Sequence, residues 1–294
     1  MDRVSKPNKV KGACRKPKPA MTRTLKLATW NINSVRLRLP LVEHLIAGWS
    51  PDVICLQETK CPDANFPSSP LKKLGYEHIA MNGQKGYHGV AILSRIPFAQ
   101  SHAREFCEKQ DSRHISAHLD VAGSSVPGGQ IALHNLYVPA GGDEPDPAIN
   151  EKFAHKLQFL AELDSWLGRG PSPEPAIVVG DLNIAPFPDD VWSHKKLLDV
   201  VSHTPIETET FERIRQGGDW ADVMRGFLPV PEKLYTWWSY RAADWSAADK
   251  GRRLDHIWAS PQLAPTFTSM EVLREARGWD RPSDHVPVIV TMEV

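Results

Sequence analysis

The stretch AIVVGDLNIAP, residues 176–186, decides the fold, because a buried strand ends there in polar side chains. Its first four residues are apolar and are bounded by Pro175 and Gly180, a pattern typical of a strand buried on both faces. Asp181 and Asn183 follow at a spacing of two, so in an extended chain they point the same way. Because open α/β sheets bind ligands at the carboxyl ends of their strands, the pair is a catalytic candidate. The alternative is a turn in which Asp181 or Asn183 bonds its own backbone.

Strand and helix patterns alternate on both sides of this stretch. Strands are predicted where apolar residues alternate or run together, and helices where they recur every three or four residues. The other predicted strands are 25–30, 52–57, 89–93, 115–121, 131–138, 254–259, 266–273 and 286–294. The predicted helices are 38–47, 150–167 and 206–228, the last broken at Gly217-Gly218. Since residues 25–294 contain no internal repeat or linker, they predict one α/β domain with helices outside packed sheets.

The composition is that of an ordinary soluble globular protein, with 294 residues, 41% hydrophobic and 24% charged. No apolar run is long enough for a transmembrane helix, and no apolar signal-peptide core lies near the N-terminus. The four cysteines form no close-spaced metal motif, and Cys55, inside an apolar run, is expected to be a packed free thiol. These features predict a cytoplasmic protein with no membrane contact.

The net charge of zero conceals a basic head. Residues 1–23 hold eight lysines and arginines against one acid, which leaves residues 24–294 with a net charge of −7. Residues 1–24, rich in proline and poor in apolar residues, are expected to be a disordered extension. They can be read as a phosphate-contacting arm, as an inert tail, or as the result of an upstream start codon with Met21 as the true beginning. The two inert interpretations are favoured, so any nucleic-acid surface must be local.

Polar side chains recur where the predicted strands end. They include Asn31, Asn33, Glu58, Asp181, Asn183, Asp255, His256, Asp284 and His285. Four of these are carboxylates, several of them beside apolar runs, where unpaired charges are costly to bury. A bound cation or a shared proton removes that cost. An oxygen-rich set without cysteine suits Mg²⁺, with Mn²⁺ as a substitute, better than zinc.

Eight segments carry a family resemblance that covers residues 25–294. They are TWNINSVR (29–36), DVICLQETK (52–60), GQKGYHGVAILSR (83–95), LYVPAGG (136–142), GDLNIAP (180–186), YTWWSYR (235–241), RRLDHIWAS (252–260) and SDHVPV (283–288). In this order and at these spacings they resemble exonuclease III and the apurinic/apyrimidinic endonucleases of the endonuclease–exonuclease–phosphatase superfamily. The resemblance implies a four-layered α/β sandwich, in which two packed mixed β-sheets are flanked by helices, as in deoxyribonucleases.

The resemblance also implies an activity. The expected enzyme is a monomeric, metal-dependent DNA-repair nuclease. Its expected reactions are incision 5′ to an abasic site, trimming of blocked 3′ ends and 3′→5′ exonuclease action on duplex DNA. The expected partner is therefore double-stranded DNA with abasic sites or blocked 3′ ends.

The same resemblance implies roles for five catalytic residues. Asp181 accepts a proton from the attacking water or orients it, and Asn183 helps to position it. His285, oriented by Asp255, donates hydrogen bonds to the scissile phosphate. Tyr137 touches the phosphate or stabilises the leaving oxygen, unless it is a core residue with a satisfied hydroxyl.

Metal and substrate residues follow from the resemblance as well. The implied metal residues are Glu58, Asn31, Asp284 and, in a lesser role, Asn33. An apolar pocket for a flipped-out abasic sugar is implied at Trp237 and Leu254. Positions along the DNA backbone match Arg36, Lys85, Tyr87 and Arg113, although Arg113 can instead pair with an acid. Tryptophans outside these segments, Trp192 among them, are interpreted as packing residues.

Two residues depart from the family pattern. Ser34 stands where relatives usually have glycine and is strained if the position needs a positive backbone angle. His256 stands where many relatives are apolar. Two other functions stay open: a lipid or inositol phosphoesterase of the same fold, and a non-catalytic DNA-binding protein. The former is expected to lack the pocket and QETK segments in this form, and the latter needs a lost catalytic residue.

Overall fold

The computed structural model describes residues 23–294. The interpretations given for the basic head fall on residues outside that range, apart from Arg23. Strand β1 begins at Thr24, where the head was predicted to end. Within the described residues, no helix is both long and apolar enough to cross a bilayer.

Fourteen strands and seven α-helices make up the described chain. The strands are β1 (Thr24–Asn31), β2 (Val53–Gln57), β3 (His78–Asn82), β4 (Val90–Ser94), β5 (Phe98–His102), β6 (His114–Asp120), β7 (Gln130–Tyr137), β8 (Ala176–Asp181), β9 (Ala221–Asp222), β10 (Trp237–Trp238), β11 (Gly251–Arg252), β12 (Asp255–Ala259), β13 (Phe267–Val272) and β14 (Val288–Glu293). The helices are α1 (Leu39–Trp49), α2 (Ser68–Lys73), α3 (Glu151–Leu167), α4 (His194–Leu197), α5 (Pro205–Gly217), α6 (Val223–Phe227) and α7 (Trp245–Ala248).

The strands form two mixed six-stranded sheets and one short ribbon. The first sheet has the order β13-β14-β1-β2-β4-β3, and only its β1–β2 pair is parallel. The second has the order β5-β6-β7-β8-β12-β9, with β7–β8 as its parallel pair. Strands β10 and β11 pair with each other as the ribbon.

Alternation along the strands divides the core into layers. On β8, Ile177 and Val179 face the first sheet and join a core between the two sheets. Ala176 and Val178 face outward and pack with residues of α3 and α5. The outer face of the first sheet packs against α1 in the same way. The four-layered sandwich and the doubly buried β8 are therefore confirmed.

Five strands were not predicted from the sequence: β3, β5 and the two-residue strands β9, β10 and β11, of which β9 interrupts the predicted helix 206–228. In β5, FAQSH, four of the five residues are exposed, because this strand forms an edge of the second sheet. An edge strand lacks the apolar alternation on which the prediction depends. The free, buried thiol of Cys55 is confirmed, and its burial raises the pKa of that thiol.

The inward-facing positions change from apolar to polar at one end of the sandwich. Gln57 ends β2 and donates from Nε2 to Asn135 Oδ1 of β7 at 2.7 Å and to Thr29 Oγ1 of β1 at 3.0 Å. The three side chains are fully buried, and their hydrogen bonds link β1, β2 and β7 across the space between the two sheets. Beyond them the same inward positions carry the predicted catalytic side chains, so the site occupies one end of the space between the sheets.

Candidate active site

Strand register places the catalytic candidates of the second sheet side by side. Tyr137 lies opposite Asp181 in the β7–β8 pair, and Asp181 lies opposite Asp255 in the β8–β12 pair. Side chains at paired positions of neighbouring strands project to the same face. Residues separated by 118 positions in sequence, Tyr137 and Asp255, therefore flank the same carboxylate.

The first sheet supplies the opposite side of the site. Asn31, the last residue of β1, donates from Nδ2 to Glu58 Oε1 at 2.9 Å and to Asp181 Oδ2 at 2.8 Å. The hydroxyl of Tyr137 donates to the same Glu58 oxygen at 2.9 Å. One hydrogen-bonded network thus crosses from one sheet to the other.

The C-terminal SDH segment brings His285 into this network. Its Nδ1 lies 2.8 Å from Asp255 Oδ2, and its Nε2 lies 3.6 Å from Asp181 Oδ2. The indole N–H of Trp30 donates to the carbonyl of His285 at 3.0 Å and fixes the segment on β1. We call Asn31, Asp181, Asp255 and His285 the floor of the site; all four side chains are buried.

Opposite charges and burial shift the pKa values of two floor residues. Burial lowers the pKa of His285, but Asp255 and Asp181 outweigh it and raise the pKa to about 10. Burial raises the pKa of Asp181 to about 7; His285 opposes this rise and Asp255 adds to it. At neutral pH the imidazolium can donate from both nitrogens, and Asp181 has the proton affinity of a general base.

Asn183 lies at the edge of the cavity above the floor. Its amide Nδ2 donates to the carbonyl of Val138 at 2.9 Å, and its backbone N–H donates to Asp181 Oδ1 at 3.0 Å. The turn interpretation of GDLNIAP is confirmed, because Asp181 accepts from the backbone of Asn183, and the same Asp181 side chain also faces the network. The ammonium of Lys156 donates to the carbonyl of Asn183 at 2.7 Å and pairs with Glu207 at 2.5 Å, both side chains being fully buried.

Two groups of side chains are candidates for holding a metal ion. Ligand atoms of Asp181, Asp255 and His285 lie within 4.8 Å of one another. Because His285 and Asp255 are already joined by a hydrogen bond, we assign that group to a proton rather than a metal. Glu58 instead faces the cavity. Its Oε2 lies 2.7 Å from the ammonium of Lys60, which neutralises the carboxylate as a metal ion would.

The chemistry of this second group fits a hard divalent cation. Burial raises the pKa of Glu58, but Lys60 and the hydrogen bond from Asn31 outweigh it and leave the pKa lowered. Glu58 is therefore an ionised oxygen ligand on a cavity that Asp181 and Asp284 also line. Oxygen ligands of this kind suit Mg²⁺ or Mn²⁺.

Asp284 and Asn33 lie beside the floor rather than in it. Asp284 accepts from the Trp237 indole at 2.9 Å and from Asn33 Nδ2 at 3.2 Å. Asn33 Oδ1 accepts from Lys60 at 2.7 Å. Asn33 therefore bonds Asp284 and Lys60 and not Glu58; of the predicted metal residues, Asn31 is the one with a hydrogen bond to that carboxylate.

A cavity of about 480 Å³ opens above the floor. We call Trp192, Trp237, Arg252 and Leu254 its wall. Trp237 and Leu254 lie in one small apolar cluster, as the predicted sugar pocket requires. Trp192 belongs to the same cluster. Trp192 was interpreted as a packing residue; it does pack in this cluster, and the structure also places it on the cavity.

The four predicted DNA-backbone residues differ in exposure. Arg113 is buried, pairs with Asp111 and donates to the carbonyl of Tyr137 at 3.2 Å. Its guanidinium is thereby committed inside the protein, as the acid-pairing alternative expected. The other three are exposed: Arg36, Lys85 and Tyr87.

Several site residues have a left-handed backbone. Ser34 has a φ of 89°, which is the strained angle anticipated where relatives carry glycine. Glu58 and Asn183 have φ values of 50° and 54°. Such conformations in residues other than glycine cluster at functional sites, where the surrounding structure imposes them. The other departure, His256, is buried and bonds the carbonyl of Ile184 at 2.7 Å, so it packs behind the site.

The residues of the site that were not among the sequence candidates include Lys60, Trp192 and Arg252. Lys60 had a usable signal, since it follows Glu58 at the same spacing of two that paired Asp181 with Asn183. Trp192 and Arg252 lie in irregular or very short elements, where no periodicity marks a functional face.

Comparison with known proteins agrees with this geometry. The sequence pattern described as "Endonuclease/Exonuclease/phosphatase family" matches residues 28–285. The chain is similar to exodeoxyribonuclease III of Haemophilus influenzae, with 30% identity over 90% of this chain and 98% of that one. It is also similar in structure to an AP endonuclease from Archaeoglobus fulgidus (TM-score 0.81, 33% identity, 92% of this chain and 100% of that one). A 3′ phosphatase from Neisseria bound to a product DNA hairpin gives a TM-score of 0.80 at 31% identity, over 90% of this chain and 98% of that one. The chain therefore belongs to the endonuclease/exonuclease/phosphatase family, within its exonuclease III and AP endonuclease group.

Proposed function

We propose that the protein is a DNA-repair nuclease that hydrolyses phosphodiesters at abasic sites and at blocked 3′ ends of duplex DNA. The observation that carries the proposal is the floor itself. A buried amide, a carboxylate with a raised pKa and a histidine held by a second carboxylate converge below an open cavity. The relatives described as exodeoxyribonuclease III, AP endonuclease and 3′ phosphatase support the choice of DNA as substrate.

The reaction proceeds by attack of water on phosphorus. Asp181 accepts a proton from the water while the oxygen of the water bonds to phosphorus. The bond between phosphorus and the 3′ oxygen breaks. The 3′ oxygen then takes up a proton, which leaves a 3′-hydroxyl and a 5′-phosphate. Asp181 is suited to this role because a base with a pKa near the working pH combines the ionised form with good proton affinity.

His285 binds the phosphate as a cation. Its Nδ1–H is held by Asp255, so Nε2–H is left to donate to a non-bridging oxygen. Asn31, which lies 3.4 Å from Nε2, orients the Asp181 carboxylate beside it. Donors fixed before the reaction stabilise the charge that develops on phosphorus.

Glu58, with Asp284 nearby, would hold a divalent cation, for which we propose Mg²⁺. Such an ion, when bound, neutralises negative charge that builds on the phosphate oxygens. Tyr137 donates to Glu58 and so fixes the direction of that carboxylate. Burial raises the pKa of the Tyr137 hydroxyl, which therefore stays protonated. Its one O–H donates to Glu58 here and has to turn away from that carboxylate in order to donate to the leaving oxygen.

The wall and its surroundings provide a local DNA surface on a chain whose charge after the head is negative. Arg241 and Lys250 line the cavity with Arg252. The ammonium groups of Lys196 and Lys250 lie over the Trp192 ring, 5.3 and 5.0 Å from its centre. Basic groups interleaved with aromatic rings are suited to a phosphate backbone and an unstacked base or sugar. All catalytic side chains are present, so no observation favours a non-catalytic DNA-binding protein.

The test is incision of a duplex carrying one abasic-site analogue, with Mg²⁺ and with EDTA, against an undamaged duplex. We expect metal-dependent cutting on the 5′ side of the lesion. Absence of cutting by a folded, metal-supplied protein would contradict the proposal and would turn attention to phosphoesters other than DNA.

The three described cysteines are free thiols, which supports a reducing cellular compartment. We expect the protein to be a monomer in solution.

A further inference from the structure

Two consecutive arginines of the site differ in what neutralises them. Arg253 is fully buried and is paired with Asp190 at 2.8 Å and with Asp222 at 2.7 Å. Among residues 23–294, no carboxylate lies within ion-pair distance of Arg252. Arg252 donates only to neutral oxygens, the carbonyl of Val201 at 3.0 Å and the hydroxyl of Ser202 at 2.8 Å.

The uncompensated guanidinium lies on the wall of the catalytic cavity. Strand β11 pairs Arg252 with Trp237 of β10, and Trp237 in turn forms a β-bridge with His285. Trp237 thus lies between Arg252 and His285 in the backbone pairing, and His285 is the residue proposed to bind the scissile phosphate. Its guanidinium lies over the Trp237 ring at 5.3 Å, while the indole N–H of that ring donates to Asp284.

Arg252 and Asp284 contact different parts of the same indole. The guanidinium lies over the Trp237 ring, whereas Asp284 accepts from the N–H at the edge of the ring and forms no ion pair with Arg252 in the described chain. Burial lowers the pKa of Arg252, with Glu207 opposing the shift, because the charge is poorly solvated where it lies. A poorly solvated cation without a counter-ion gains most from an anionic ligand.

We propose that Arg252 makes the cavity selective for DNA 3′ ends whose blocking group carries a carboxylate beyond the scissile phosphorus, as a 3′-phosphoglycolate does. The inference rests on the proposed function, since it assumes that His285 holds the phosphate. A charged carboxylate accepts from the free edge of the guanidinium, whereas an uncharged blocking group of the same length leaves the cation unpaired.

The chemical step is the one already described. Water adds to phosphorus, the bond from phosphorus to the DNA 3′ oxygen breaks, and that oxygen gains a proton. The products are a DNA 3′-hydroxyl and free phosphoglycolate, whose carboxylate leaves from Arg252. No oxidant or further reactant is needed.

The test compares two duplexes that differ only at the blocked 3′ end. One carries phosphoglycolate, and the other carries the phosphate ester of ethylene glycol, in which a hydroxymethyl group replaces the carboxylate. For the wild type we expect kcat/KM to favour phosphoglycolate by about 10- to 100-fold, the equivalent of one hydrogen bond to a charged group. An abasic-site analogue duplex is assayed in parallel.

Matched variants distinguish charge recognition from a structural role. R252Q keeps an N–H donor for Val201 but removes the charge, and we expect it to abolish the preference. R252K keeps a cation at this position, and we expect it to retain most of the preference for phosphoglycolate. The control R213Q removes one exposed positive charge of α5 and leaves the preference unchanged. The inference would be overturned if R252Q lost kcat/KM equally on the two blocked duplexes, or if the wild type showed no preference between them. Failure to cut any of the three duplexes would instead overturn the proposed function.

Discussion

The floor and the wall of the cavity are built in opposite ways. Each floor residue is buried and bonded to another floor residue, and all but His285 lie at the ends of long strands. The wall comes from irregular chain and the two-residue strands β10 and β11, and three of its members are half-exposed. Strand register places most of the floor, whereas local packing sets the wall. We infer that the reaction depends on the floor and substrate choice on the wall.

The sharpest test of this division is removal of the base. We expect Asp181→Asn to lower kcat by about 10³- to 10⁴-fold, at the upper end of what general-base catalysis contributes. The amide keeps the size of the carboxylate and removes a buried charge, so the thermal unfolding midpoint should not fall. Single-turnover incision of the abasic duplex measures the first effect and calorimetry the second. Wild-type turnover by a folded variant would refute the mechanism.

A second test concerns what lies below the floor. Lys156→Met removes the ammonium that holds the Asn183 carbonyl and leaves Glu207 buried without its partner. Because an uncompensated buried charge is expensive, we expect a loss of about 3–5 kcal/mol in the free energy of unfolding. Urea titration measures it. Lys152→Met, at an exposed position of the same helix, should change it by less than about 0.5 kcal/mol. Similar values for the two variants would show that the buried pair has no special role.

The pH profile tests the His285–Asp255 pair. The charged form of His285 is present below its pKa of about 10 and is lost as the pH rises through that value, so activity should fall there. Asp255→Asn removes a carboxylate that raises this pKa, and the fall should therefore begin at lower pH, by at least about one unit. The measurement is kcat/KM from pH 6 to 10.5 on the abasic duplex. If the fall of kcat/KM at high pH occurred at the same pH in the variant, Asp255 would not control the pKa of His285.

The smallest expected effect belongs to the wall. Trp192→Ala removes an aromatic face from the cavity without touching the floor. We expect KM to rise by about 5- to 50-fold, the range for loss of one stacking contact, with kcat nearly unchanged. Steady-state kinetics on the abasic duplex separates the two constants. A loss confined to kcat would place Trp192 with the floor and would break the comparison.

The same contrast explains what the sequence could predict. Asp181, Asp255, Glu58 and His285 were singled out because apolar patterns mark strands, and polar residues where strands end mark a sheet edge. Their roles, and the choice of Tyr137, came from the family resemblance of whole segments such as QETK and SDH. Trp192 and Arg252 were missed because neither lies in a periodic element, and their positions depend on contacts between segments far apart in the chain. Arg113 matched a DNA-lining position, yet Asp111, only two residues earlier, holds it inside the protein.

The hydrogen bond from Asn31 to Asp181 joins the two sheets, and it has a consequence for folding. Neither sheet alone contains a base, a phosphate-binding cation and their positioning amide. A chain in which only one sheet has formed, during synthesis or after partial unfolding, therefore cannot cut a phosphodiester. Cutting activity switches on only when the two halves of the sandwich dock, so a cell that makes this nuclease is not exposed to a half-folded, indiscriminate form of it.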